Sequence, residues 1–203
     1  MKNIRRIATA VAPLALVLSL AGCADSGSYW MPAINPHGMA SSPSAGERSE
    51  LNRADSMFTM MMIPHHEQAV EMSDMILAKS DINQSVLDLA QQIKDAQGPE
   101  IELMKSWLDD WDMPTPRGMG MDGMGHGERM MSDDDMAALE AADAQEAARL
   151  FLEQMIEHHE GAITMAEDEL DDGTNRDVRA LAQRIIDSQT AEIITMEDLL
   201  TGI

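Results

Sequence analysis

The chain has 203 residues and sets 36 acidic side chains against 14 Lys and Arg, a formal net charge of −22. This excess argues against nucleic acid and anionic membrane surfaces as partners, and reads mainly as a solvated acidic face that also concentrates cations. A single cysteine leaves no disulfide and no multi-thiolate metal site, and 20 Met beside six aromatic residues (Phe 2, Trp 3, Tyr 1) require an aliphatic and thioether core.

The first 22 residues read as an address. Lys2, Arg5 and Arg6 form a basic start, Ile7 to Leu20 an apolar stretch interrupted by Pro13, and Leu20-Ala21-Gly22-Cys23 a lipobox. A bilayer span needs roughly 20 apolar residues. The 14 present here instead predict a lipoprotein signal peptide over 1–22, cleaved before Cys23, whose thiol takes the lipid. Removing the three basic residues makes the charge −25. The expected location is the cell envelope, extracytoplasmic and lipid-anchored to the membrane via Cys23. Residues 23–48 are rich in Ser, Gly, Pro and Ala without helical periodicity, and predict a flexible tether.

From residue 49 to 203 the chain reads as one helical domain written twice, with repeats at about 49–110 and 143–201. Sliding by 93 residues aligns Phe58–Met72 with Phe151–Met165, identical at eight of fifteen positions. Sliding by 92 aligns Val86–Leu108 with Val178–Leu200, identical at eleven of twenty-three. Capping signals start the four long helices at Ser49, at Asp81 with Gln84, at Asp143 with Glu146, and at Thr174 with Asp177. Gly173 ends the third, and Ser132 with Asp135 opens an extra short helix running to about Ala141. Pro64 and Pro99 align with Glu157 and Ala191 in the other copy, so both predict kinks inside helices rather than helix ends. No stretch alternates like a strand. Two hairpins, each with one apolar stripe, hide those stripes by packing on each other, which predicts an all-α four-helix bundle with a Met- and Gly-rich connector at about 112–132.

The chemistry concentrates on the first and third long helices. At about 100° per residue, Met62 lies one turn before both His65 and His66 and faces the same way, and Met72 returns to the His65 side two turns later. Met155, His158, His159 and Met165 repeat the pattern. Glu67 and Glu160 project away from the neighbouring histidines and read as bystanders. On the partner helices Gln97, Glu100 and Met104 share a face, as do Gln189, Glu192 and Met196. The connector adds thioethers at Met113, Met119, Met121, Met124, Met130 and Met131, and a further histidine at His126, where a Gly-rich loop has no packing need for sulfur. Thioether and imidazole donors without thiols suit Cu(I) and its congener Ag(I), whereas carboxylate-rich sets suit iron, manganese or calcium.

The paired motifs FTMMMIPHHEQAVEMS and FLEQMIEHHEGAITMAE, each followed by Q-x-x-E-I-x-x-M, resemble the domain of unknown function 305 family, which includes CopM-like copper-binding proteins. The likeness spans about residues 49–201. It implies a ferritin-like four-helix bundle and, for some members, periplasmic or secreted copper binding and copper resistance. Carried over, it puts Met62, His65, His66, Met72, Met155, His158, His159 and Met165 in the metal-binding positions. Met61, Met104, Met196, Met119, Met121, Met124 and His126 are possible additional ligands. Gln154 stands where the first copy has Met61, so the second copy has one soft donor fewer.

The resulting expectation is a non-catalytic protein that binds copper as Cu(I), for sequestration, trafficking or resistance. It needs no organic cofactor, and a copper-transfer protein is a possible partner. The alternative is a helical interaction or envelope module whose histidines are hydrogen-bonded core residues and which binds no metal. A di-iron or di-manganese enzyme on the same bundle would use Glu-x-x-His. The residues three before the paired histidines are Met62, Ile63, Met155 and Ile156. No nucleophile with a paired base, phosphate-cradling loop or HExxH motif is present, so nothing points to catalysis.

Overall fold

A computed structural model describes residues 51–116 and 129–202. The signal peptide, Cys23, the tether, Met119, Met121, Met124 and His126 therefore lie outside the described residues. The described residues are all-α, with five helices: α1 Arg53–Leu77, α2 Gln84–Asp110, α3 Asp133–Ala141, α4 Ala144–Asp172 and α5 Arg176–Leu200. Pro64 lies inside α1 and Pro99 inside α2, as the repeat alignment predicted. None of these helices is long and apolar enough to cross a membrane.

The caps agree with the sequence at two helices and differ at three. Asp143 accepts the Glu146 N–H and Ser132 forms a reciprocal box with Asp135, as expected. Helix α1 starts at Asn52 rather than Ser49, because the Asn52 side chain and the Asp55 carboxylate satisfy each other's backbone N–H groups at 3.0 and 2.6 Å. Before α2, Asp81 takes a left-handed conformation (φ 63°) in the hairpin turn, and Asn83 caps instead. Before α5, Thr174 is diverted to a tertiary role: its N–H and hydroxyl bond to Asp55, 119 residues away, leaving Asn175 to cap Asp177 and Val178.

Helices α1 and α2 form one hairpin and α4 and α5 the other, and the hairpins meet chiefly through α1 against α4. Those two run antiparallel. The early part of α1 (Phe58, Met62) shares a buried cluster with the later part of α4 (Ala162, Ala166), and Ala69 and Met72 share the other cluster with Phe151 and Met155. Helix α3 lies over α4 and α1 at the second cluster, where Leu139 is fully buried. It is held by Lys79, which donates to the carbonyls of Glu140 and Ala142 at its C-terminal end, and by Gln154, which donates to Asp135. The connector ends pack as well. Met131 is buried in the core, clamped by the Gln68 amide through both its N–H and its carbonyl, and Met113 is half-buried against the first cluster. These two thioethers serve packing, which corrects their reading as exposed loop sulfur.

Candidate metal centre

Each long helix places a set of buried polar residues at the boundary between the two apolar clusters. Helix α1 places His65 and His66 between Met62 and Ala69, and α4 places His158 and His159 between Met155 and Ala162. Gln97 of α2 lies between Ile93 and Ile101, and Gln189 of α5 between Ile185 and Met196. A polar layer thus crosses the middle of the core, between its two apolar clusters. All four histidines are buried, none more than 1% exposed. Helical spacing explains this placement: both residues of each pair sit one turn from a core methionine, with His65 and His158 turned toward each other between α1 and α4 and His66 and His159 turned toward α2 and α5.

The layer joins the two copies. The rings of His65 and His158 lie 3.8 Å apart between centroids, and His158 and His159 lie 6.4 Å apart. His66 Nε2 meets Glu100 Oε2 at 3.0 Å, and His159 Nε2 meets Glu192 Oε2 at 2.7 Å. If the carboxylates are ionised, each Nε2 carries the proton and donates it, which leaves Nδ1 as the lone-pair nitrogen. The Nδ1 atoms of His66 and His159 are buried without a hydrogen-bond partner. Neither nitrogen of His158 makes a hydrogen bond of good geometry, although the His65 main chain is near enough to oppose part of its pKa shift.

Burial holds the His158 pKa well below the ordinary histidine value, and His65, His159 and His66 push it the same way. Burial also lowers His159, with the Glu192 hydrogen bond working against it. Both rings are therefore neutral near neutral pH and keep a lone pair for a Lewis acid. Carboxylate partners that fix the tautomer of a buried imidazole are the usual outer support of a histidine metal ligand. Among the described residues no three His, Cys, Asp or Glu side chains are gathered into a metal-holding group, so any ion here would rely on few nitrogen donors together with sulfur.

The expected thioethers divide across the layer. Met62 and Met104 lie in one cluster with Met165 packed at its edge, whereas Met155, Met72 and Met196 lie in the other. The two methionines flanking each His pair are therefore on opposite sides of the layer, and each side draws on both copies. Met62, Met72, Met104, Met155 and Met196 are fully buried, and Met61 and Met165 half-buried. Glu67 is exposed and pairs with Lys105, and Glu160 pairs with Arg129. Both are bystanders to the layer, as their helical angle predicted. The sequence showed that Glu100 and Glu192 share faces with methionine but left their contact with the histidines open. Their matching position in the two repeats was the available signal.

The chain matches the family described as Domain of unknown function (DUF305) over residues 55–200. Among solved structures it is similar to a DUF305 fragment from Deinococcus radiodurans, at 29% identity and TM-score 0.69, covering 75% of this chain and 99% of that one. It is similar to a Streptomyces coelicolor DUF305 protein described as secreted, at 35% identity and TM-score 0.67, covering 73% and 91%. It is also similar to CopM in a Cu(II)-bound form, at 36% identity and TM-score 0.63, covering 73% and 96%. CopM has been solved in Cu(I)-bound and Ag-bound forms as well. No protein of curated function matches the chain. The duplicated His-His hairpins, the shared helical fold and a match over most of the described residues lead to one assignment: the chain belongs to the DUF305 family.

Proposed function

We propose that this protein binds monovalent copper, and Ag(I) as its congener, in the histidine layer of a ferritin-like four-helix bundle, without catalysis. The observation that carries the reading is the set of buried ring nitrogens on His66, His158 and His159 that make no hydrogen bond of good geometry. A buried polar atom left unpaired costs roughly 1–3 kcal/mol. A ligand that accepts its lone pair offsets that cost. Imidazole nitrogen, with thioether sulfur on both sides of the layer, is a donor set for a soft ion that tolerates low coordination numbers. CopM, solved with Cu(I), Cu(II) and Ag, shares the fold at 32–36% identity, which supports the same ligand class here.

In this reading His65, His66, His158 and His159 supply the nitrogen donors, each ion taking only one or two of their ring nitrogens. Glu100 and Glu192 orient two of the rings, and the fully buried Met62, Met72 and Met155 supply nearby sulfur. The lipobox at Cys23 and a relative described as secreted support an extracytoplasmic, lipid-anchored protein that sequesters copper or passes it to a transfer protein. The test is competition against a colourimetric Cu(I) chelator under anaerobic reducing conditions, comparing wild type with the four histidines changed to Ala. Equal binding by the two proteins rejects the histidine layer as the site. A wild type that takes no Cu(I) favours the alternative of a helical interaction module, whose ring nitrogens are then simply buried.

A further inference from the structure

Sulfur also gathers at the surface, away from the histidine layer. An open groove of about 200 Å³ lies between the start of α1 and the last turns of α4, lined by Met57, Met61 and Met165 and by Asp168, Asp172 and the largely buried Glu169, with Phe58 beside them. Met57 is 49% exposed, and Met61 and Met165 are half-buried, so packing alone does not account for three thioethers here.

The repeat supplies an internal control. The 93-residue offset carries Met57, Met61 and Met165 onto Leu150, Gln154 and Met72 at the opposite end of the α1 and α4 pair. That end is covered. Gln154 is bonded to α3, Leu150 packs against the cluster beneath it, and Met72 has no exposure. Where the surface is roofed by a helix, Leu and Gln suffice at two of the three positions. Where it is open, all three positions are sulfur, and Asp168 and Asp172 lie alongside. Thioethers are poor ligands for hard cations and good ones for Cu(I) and Ag(I). The two aspartates add local field without displacing the sulfur. Behind the groove, Phe58 belongs to the same buried cluster as Met62 and Met104, which borders the histidine layer.

We infer that this groove is a second, outer soft-metal site, in which Met57, Met61 and Met165 take a monovalent copper or silver ion from solvent at the Met62 side of the bundle. The inference rests on the reading of the chain as a soft-metal protein and adds an ion to whatever the layer holds.

The test titrates Ag(I), which needs no reductant, into the full chain labelled at the methionine methyl groups. It follows methyl NMR shifts, and counts ions per chain by native mass spectrometry, for wild type and for the Met57→Leu, Met61→Leu, Met165→Leu triple variant. The expected result is that the groove methyl signals, identified by their loss in single Leu variants, move on Ag(I) addition, and that the triple variant holds one ion fewer with its helical circular dichroism intact. Groove signals that stay still while Ag(I) binds elsewhere overturn the outer site and leave the histidine layer standing. No Ag(I) bound at all overturns both. Should the triple variant lose helix, the single Met57→Leu change at the exposed position decides: several-fold weaker Ag(I) binding read at Met61 and Met165 supports the site, and unchanged binding overturns it.

Discussion

Glu169 offers a test of how this fold handles buried charge. It is 1% exposed and lies beside Asp55, whose carboxylate accepts N–H groups from Asn52, Thr174 and Asn175 at 2.6, 3.0 and 2.8 Å. Burial alone would raise the Asp55 pKa. The N–H donors of Asn52, Asn175 and Thr174, together with the Glu169 side chain, outweigh it and bring the value below the ordinary 3.8. Glu169 is left against a fixed negative charge, and burial first, then Asp55, push it from 4.5 up to about 8. A carboxyl whose folded pKa exceeds its unfolded one contributes stability in full below the unfolded value and loses it as pH rises through the folded value. At ~1.4 kcal/mol per pH unit, raising the pH from 5 to 8 should cost on the order of 3 kcal/mol, which is roughly 6–12 °C in Tm for a chain of this size. Asp55 has the opposite sign: its contribution is present above the ordinary carboxylate value and fades as pH falls through its lower folded pKa. The assay is thermal melting by circular dichroism across this range for wild type and Glu169→Gln, which stays neutral and can still donate to Asp55. The wild-type Tm should fall more steeply by that amount, with the variant more stable at pH 8. General charge repulsion acts on both proteins, so parallel curves would refute the assignment.

Four further outcomes are expected. Gly173→Ala places a Cβ 2.6 Å from the Glu169 carbonyl oxygen in backbone that otherwise suits any residue (φ −73°), so it should cost about 1–3 kcal/mol in urea unfolding, and a neutral result would mean the α4 terminus gives way freely. Glu192→Ala removes the partner that fixes the His159 tautomer, and chelator competition should show Cu(I) affinity falling roughly 10–100-fold; an unchanged affinity would remove Glu192 from the centre. Gln68→Ala frees both main-chain groups of Met131, costing about 1–2 kcal/mol and speeding amide exchange in α3 while α5 stays protected. Phe151→Ala empties a fully buried position in the second cluster and should cost roughly 3–5 kcal/mol by denaturant titration, whereas a loss below 1 kcal/mol would contradict the packing described.

The two copies have diverged where their surroundings differ. Asp55 and Glu169 correspond, through the 93-residue offset, to Ala148 and Ile76, which are buried in the second cluster. One end of the α1 and α4 pair therefore closes on a carboxyl pair tied to the α5 cap, and the other on aliphatic side chains beneath α3. Pro64 and Pro99, each directly before a residue of the polar layer (His65 and Glu100), have no counterpart in the second hairpin, so the first lacks two helical N–H donors beside its half of the layer.

Helix content, the duplication, the α3 capping box, the α4 terminus at Gly173 and the inward face shared by Met62 and His65 were all legible in the sequence, because they depend on contacts within a few residues or on a period of about 3.6. Three of the predicted starts moved by one to three residues. Ser49 and Asp81 were plausible caps that lost to Asn52 and Asn83, and Thr174 was drawn off by Asp55. No local rule anticipates a partner 119 residues away.

What the sequence determined by itself is the paired Met-x-x-His-His unit and the side of each helix on which it sits, since side-chain direction follows from helical geometry. Only the tertiary structure decided that α1 and α4 run antiparallel. That arrangement brings the His65 ring against His158, sends the equivalent methionines Met62 and Met155 to opposite sides of the layer and leaves Glu100 and Glu192 on the rings of His66 and His159. The physical reason is that a helix specifies which face is apolar but not which neighbour covers it. That choice is settled by packing two similar hairpins against each other.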